Sequence, residues 1–205
     1  MNKNNRTGFT LIEIIVAVAI FVIIGSVGLL SFVRNRQSSD LSRSASELAS
    51  NIRKAQGYSR SGRNEAGVVP RAYGVSIDIE SHPGTYYLYA DSDSEIPEAY
   101  CYECVADDDI LIGEYTLATN TEISDLAIEG FSPTEDLKRV DFIFFIPSME
   151  MKVVYLDPDT GVYTLFSPAG TSKITLEVSH TQVGDTKSLI VEGGVLGGVT
   201  IEDTP

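Results

Sequence analysis

Cysteine and histidine are scarce, two of each in 205 residues. Two cysteines cannot build the framework of a disulfide-held miniprotein, nor close a tetrahedral zinc site by themselves. Glycine and proline number 17 and 8, and 43% of the chain is apolar, which argues against both a collagen-like and a disordered polypeptide. Cations are sparse beyond residue 63. Residues 64–205 hold six Lys/Arg against twenty-six Asp/Glu, a balance of −20, whereas residues 1–63 hold nine against three, +6. A body that acidic repels polyphosphates, so nucleic acid is not an expected partner. Nucleophile elbows, Walker loops, zincin helices and dinucleotide fingerprints are absent, and neither His82 nor His180 has a recognisable catalytic neighbourhood. The chain therefore reads as no enzyme. Its length suits one ordinary domain with an appendage.

What is present begins at the front. FTLIEIIVAVAIFVIIGSVGLLSF, residues 9–32, is a 24-residue apolar run broken by one charge. As a helix it spans about 36 Å, enough to cross a bilayer core with some tilt. Lys3 and Arg6 precede it; Arg34 and Arg36 follow. A secretory signal has a shorter apolar core and a small-residue cleavage site, which is missing after Phe32. A plain single-span anchor fits these facts except for Glu13. A carboxylate inside the membrane is costly and usually has a partner, so something cationic should meet it.

Gly8-Phe9-Thr10-Leu11-Ile12-Glu13, behind the basic leader 1–8, resembles the class III signal of type IV pilins and type II secretion pseudopilins. The resemblance implies cleavage by a prepilin peptidase between Gly8 and Phe9, N-methylation of Phe9, and an assembly role for Glu13. Cleavage would create an amine on Phe9 at the depth where Glu13 needs a cation, and a neighbouring subunit could supply it. The leader is cationic, but Arg34 and Arg36 oppose it under the positive-inside rule. The cytoplasmic cut that the resemblance implies decides the orientation: N-terminus cytoplasmic, acidic body outside. Such a subunit is a single-pass protein of the inner membrane before it joins a pilus or pseudopilus with other pilin subunits.

After the span, Leu41, Ala45, Leu48, Ile52 and Ala55 are spaced 4, 3, 4, 3, which marks one helix face. Ser38, Ser39, Arg43, Ser46, Glu47, Asn51 and Arg53 fall on the others. With no proline before Pro70, span and amphipathic segment read as one helix to about residue 59, with Gly57 and Gly62 as stops. Gly25 and Gly28 are either ordinary small residues of a membrane helix or points of melting or close packing on assembly. From residue 72 onward the pattern becomes that of strands: 73–80, 85–91, 110–118, 121–128, 139–146, 152–156, 162–166, 172–179, 188–193 and 195–202. Turn signals lie at residues 81–84, 157–161 and 184–185. The expected fold is α+β, one long N-terminal helix packed on an antiparallel β-rich head. Its parts are leader 1–8, membrane half 9–32, amphipathic half 33–61 and head 62–205. This layout resembles the pilin architecture. Residues 44–62 are similar to the helix end of the GspH/FimT group of minor pseudopilins, and residues 188–202 faintly resemble its closing strands. The resemblance implies a minor structural subunit. The alternatives are a pilus-tip module for adhesion or DNA uptake, and a tethered extracytoplasmic domain.

Two further motifs invite chemistry. Cys101-Tyr102-Glu103-Cys104 sits among Glu98, Asp107, Asp108 and Asp109, whose charge disfavours a thiolate. The pair is a candidate structural disulfide, a short local staple. Zinc would need His82 and His180 to converge on both sulfurs. Asp91, Asp93 and Glu95 have the alternating oxygens that calcium favours, but Ile96 and Tyr102 stand where an EF-hand has glycine and glutamate. No cofactor is expected, and a solvated acidic loop competes with a calcium site.

Overall fold

The computed structural model describes residues 10–65, 67–92, 109–129, 137–146, 148, 150–156, 163–166, 173–192 and 198–203. Among the described residues there is one helix, α1 (Leu11–Ser61), followed by ten strands. They are β1 (Ala72–Asp78), β2 (Thr85–Asp91), β3 (Ile110–Thr116), β4 (Thr121–Ile128), β5 (Arg139–Phe145), β6 (Met151–Leu156), β7 (Tyr163–Phe166), β8 (Lys173–His180), β9 (Thr186–Glu192) and β10 (Val199–Asp203). All pairings are antiparallel, and the strands form two sheets ordered β3-β2-β1-β5-β6-β7 and β10-β9-β8-β4. The layout is α+β and pilin-like. By its contacts the chain divides into two units, Met1–Ser38 and Ser39–Pro205.

Within the second unit, residues 39–61 of α1 present the expected stripe. Leu41, Ala45, Leu48, Ile52 and Ala55 are all buried, joined by Ala49. Leu41, Leu48, Ala49, Ile52 and Ala55 enter one core with the inner faces of both sheets. In the larger sheet that face carries the cross-strand rows Leu88–Val75–Phe142–Val153 and Tyr86–Ile77–Val140–Tyr155. In the smaller sheet it carries Leu126–Leu176–Leu189–Ile201 and Ile128–Ile174–Val191–Val199. Branched and aromatic side chains at every second position bury one face of each sheet, and register is pinned because a one-residue slip would expose them all. Polar bonds then fix the helix on this core. Asn51 Nδ2 donates to Tyr86 Oη (2.9 Å), Lys54 Nζ to Tyr115 Oη (3.1 Å) and Ser59 Oγ to the Phe145 carbonyl (2.7 Å). Arg53 donates from its guanidinium to the Val199 carbonyl of β10.

The helix stops at Gly62, not at Gly57. Gly62 has φ 56°, its N–H reaches the Ser59 carbonyl, and the Arg63 N–H reaches the Tyr58 carbonyl. This paired closure is a Schellman motif, for which a left-handed residue is needed and glycine is the cheapest choice. Gly57 lies inside the helix, where propensity alone is too weak a signal to break it. Asn51, placed by spacing among the outward faces, is buried, because the Tyr86 hydroxyl is there to receive its amide.

Several strand limits also shift. β1 ends at Asp78 because the chain turns there: Asp78 Oδ1 accepts from the Ser81 N–H and its carbonyl from the His82 N–H. The closing strands are Thr186–Glu192 and Val199–Asp203, and the ladder is finished by the Glu192 N–H on the Gly198 carbonyl. The turn expected at 184–185 is present, with Gly184 at φ 73°. The turn expected at 157–161 lies outside the described residues.

Candidate functional site

The first unit carries the sequence motif. Gly8 and Phe9 lie outside the described residues; Thr10 and Glu13 lie within them. Thr10 stands just ahead of α1 and Glu13 in its first turn. The Thr10 N–H and its Oγ1 hydroxyl both donate to Glu13 Oε2, at 3.0 and 3.1 Å, while the Glu13 N–H reaches back to Thr10 Oγ1 at 3.4 Å. These reciprocal bonds make a capping box: two amide donors that the helix leaves over at its start are satisfied by side chains. The negative charge also sits at the positive end of the helix dipole.

The arrangement was legible in Thr10-Leu11-Ile12-Glu13, a Thr-x-x-Glu ahead of an apolar run. It changes the account of why the acid is tolerated. In a single subunit Glu13 already has donors on one oxygen, so the cationic partner is not needed merely to hold the acid in place. Both bonds fall on Oε2. Glu13 is bordered by Ile12, Val16, Ala17 and Ile20, which line a shallow apolar groove with it.

Among the described residues, nothing buries the rest of this half-helix. Leu11 and Phe21 are 78% and 77% exposed, and the large apolar residues between them are exposed as well. The segment is long and apolar enough to cross a membrane by length and composition. Gly25 faces open space, so close packing within one subunit does not demand it there. Ser26 Oγ bonds back to the Ile23 carbonyl at 2.8 Å, a local competitor for the helical ladder. The surroundings of Gly28 lie outside the described residues.

The other candidates divide between the head and the undescribed segments. Cys101, Cys104, Asp93 and Glu95 lie outside the described residues. Asp91 ends β2 and is buried. It shares with Tyr89, Asp141 and Arg139 the face of the larger sheet turned away from the helix, a buried polar group that alternation alone did not reveal. Burial pushes the Tyr89 hydroxyl well above the ordinary tyrosine value, and Asp141, Asp109 and Asp91 push the same way against the opposing Arg139. Gly74 lies under this ring: a Cβ there would fall within the Tyr89 side chain. His82 is exposed on the β1–β2 turn and His180 is buried at the end of β8. Among the described residues no three of His, Cys, Asp and Glu stand where they could hold a metal ion.

Residues 3–29 match the family described as the prokaryotic N-terminal methylation motif. Neither the curated proteins nor the solved structures yielded a match to this chain. The chain thus carries a prepilin-type N-terminal motif on an exposed apolar helix, followed by antiparallel sheets. The motif supports a type IV pilin or pseudopilin and implies processing by prepilin peptidase and assembly with other pilins.

Proposed function

We propose that this chain is a minor structural subunit of a type IV pilus or type II secretion pseudopilus, and not an enzyme. Prepilin peptidase cuts between Gly8 and Phe9, Phe9 is N-methylated, and the subunit waits in the inner membrane with its head outside the cytoplasm. Assembly moves the apolar half of α1 from lipid to a bundle of neighbouring helices. There the Glu13 carboxylate takes the Phe9 amine of an adjacent subunit, which sets the axial register. Both Thr10 bonds fall on Glu13 Oε2, so Oε1 can accept an incoming ammonium while the capping box stays closed. No cofactor is required.

The observation that carries this reading is the methylation motif at residues 3–29, placed on an apolar half-helix left exposed among the described residues. Apolar surface of that extent must be covered by lipid or by protein. The similarity of residues 44–62 to the GspH/FimT group supports a minor role. The acidic head speaks against DNA capture at a tip, and DNA affinity falling steeply with salt would reinstate it. The test is Glu13→Leu in the full chain, expressed with its processing and assembly proteins. Membrane insertion should persist and recovery in sheared filaments should fall. Normal incorporation would remove Glu13 from the mechanism.

A further inference from the structure

Residues 39–61 of α1 have a second periodicity on the side opposite the buried stripe. Arg43, Ser46, Ser50, Arg53, Gly57 and Arg60 are spaced 3, 4, 3, 4, 3, and all six are exposed. At 3.6 residues per turn they fall on one face of about 100°. That face bears three arginines, with the exposed Glu47 at its edge one turn from Arg43. Its remaining positions are serine and glycine, which let another surface approach closely. Arg53 is oriented from below, since its guanidinium donates to the Val199 carbonyl.

The smaller sheet turns an opposite charge to solvent. Its inner face lies in the core with the helix, and its outer face presents a cross-strand row Asp125–Glu177–Ser188–Glu202 running β4-β8-β9-β10. Asp125 and Glu177 are directly paired across two strands. Like charges so placed destabilise a sheet, and a row that breaks this local rule invites an outside cation. Among the described residues no salt bridge neutralises any of the three carboxylates.

We propose that the arginine face of α1 in one copy docks on the acidic outer face of the smaller sheet in a second copy. The two faces are different surfaces of one chain, so the contact is heterologous. Contacts of that kind repeat into an open helical stack rather than closing as a dimer, which suits a filament subunit. The inference rests on the filament reading above but concerns the head. It assigns a lateral contact outside the membrane helix, held by charge and therefore weakened by salt.

The test uses the full chain in membranes with its assembly proteins, reading the fraction recovered in filaments. R43E/R60E should lower that fraction about tenfold or more, the scale of one or two close charge pairs. D125R/E177R should do the same, and the four substitutions together should restore most of it. Glu13→Leu is run alongside. If the wild-type chain itself is not recovered in filaments, the filament reading fails; if Glu13→Leu is defective while both reversals assemble like wild type, the docking inference alone fails. Each variant is checked for an unchanged thermal midpoint, and R43Q and D125N replace any reversal that unfolds the head. Loss with R43E/R60E that the carboxylate reversals do not rescue would mean the arginines face another anion, such as lipid headgroups, and would overturn the proposal.

Discussion

At the scale of single residues, two glycines of similar appearance should respond in opposite senses. Gly74 lies beneath the buried Tyr89 ring, so Gly74→Ala forces ring or strand to move and should cost about 1–3 kcal/mol, as overpacking does. Gly57 is exposed inside α1 with open space where a Cβ would go, so Gly57→Ala should stabilise by roughly 0.5–1 kcal/mol. Denaturant midpoints of the two variants check both signs.

A pH dependence belongs to this scale too. Burial raises the Tyr86 hydroxyl against the opposing Asn51 bond, and burial raises the Tyr89 hydroxyl as well. The hydrogen bond to Tyr115 holds Lys54 above its usual value. Each group keeps its proton in the folded head at a pH where the unfolded chain has released it. Their stabilising contribution is therefore complete below a pH of about 10 and is lost as pH rises beyond it. Tyrosinate absorbance followed with unfolding should show late ionisation coupled to loss of structure, and Tyr86→Phe should lessen the alkaline sensitivity. Early ionisation of all ten tyrosines with the fold intact would contradict this.

At the scale of elements, the second half of α1 is held chiefly by its buried stripe. Leu48→Ala at its centre removes a fully buried side chain and should destabilise the head by about 2–5 kcal/mol, read as a lower thermal midpoint. This stripe was legible from spacing, because a helix face repeats every three or four residues whatever it packs on. The strands were legible for the same local reason, apart from their ends. How they divide into six and four was not, since β1 joins β5 and β4 joins β8 across long stretches of chain.

Asn51 looked solvent-facing because the Tyr86 hydroxyl that receives it lies 35 residues away. Asp141 shows the reverse case: a charge in an apolar strand, buried on the far face with Tyr89 and Arg139 as neighbours that no local pattern announces. Of the candidate site, Glu13 stood out as the one charge in an apolar run. The bonds from Thr10 are equally readable in Thr10-Leu11-Ile12-Glu13, a Thr-x-x-Glu capping pattern ahead of an apolar run.

At the scale of the whole molecule, the charge asymmetry and the exposed helix share one explanation. A chain whose side chains balance to +4 over residues 9–63 (seven Lys/Arg, three Asp/Glu) and −20 beyond repels copies of itself head to head and attracts them head to helix. The apolar half of α1, with Glu13 held by Thr10 at its start, is left exposed among the described residues. Both features call for other copies or close relatives around it, and on the proposed assembly reading the helix also needs the leader removed, so that Phe9 offers a free amine to Glu13. The most direct measurement is the intact mass of the protein extracted from membranes of a cell that has the processing peptidase. A mature chain beginning at Phe9, lacking residues 1–8 and heavier by one methyl group, is the predicted result. A chain that retains Met1–Gly8 in that cell would contradict it.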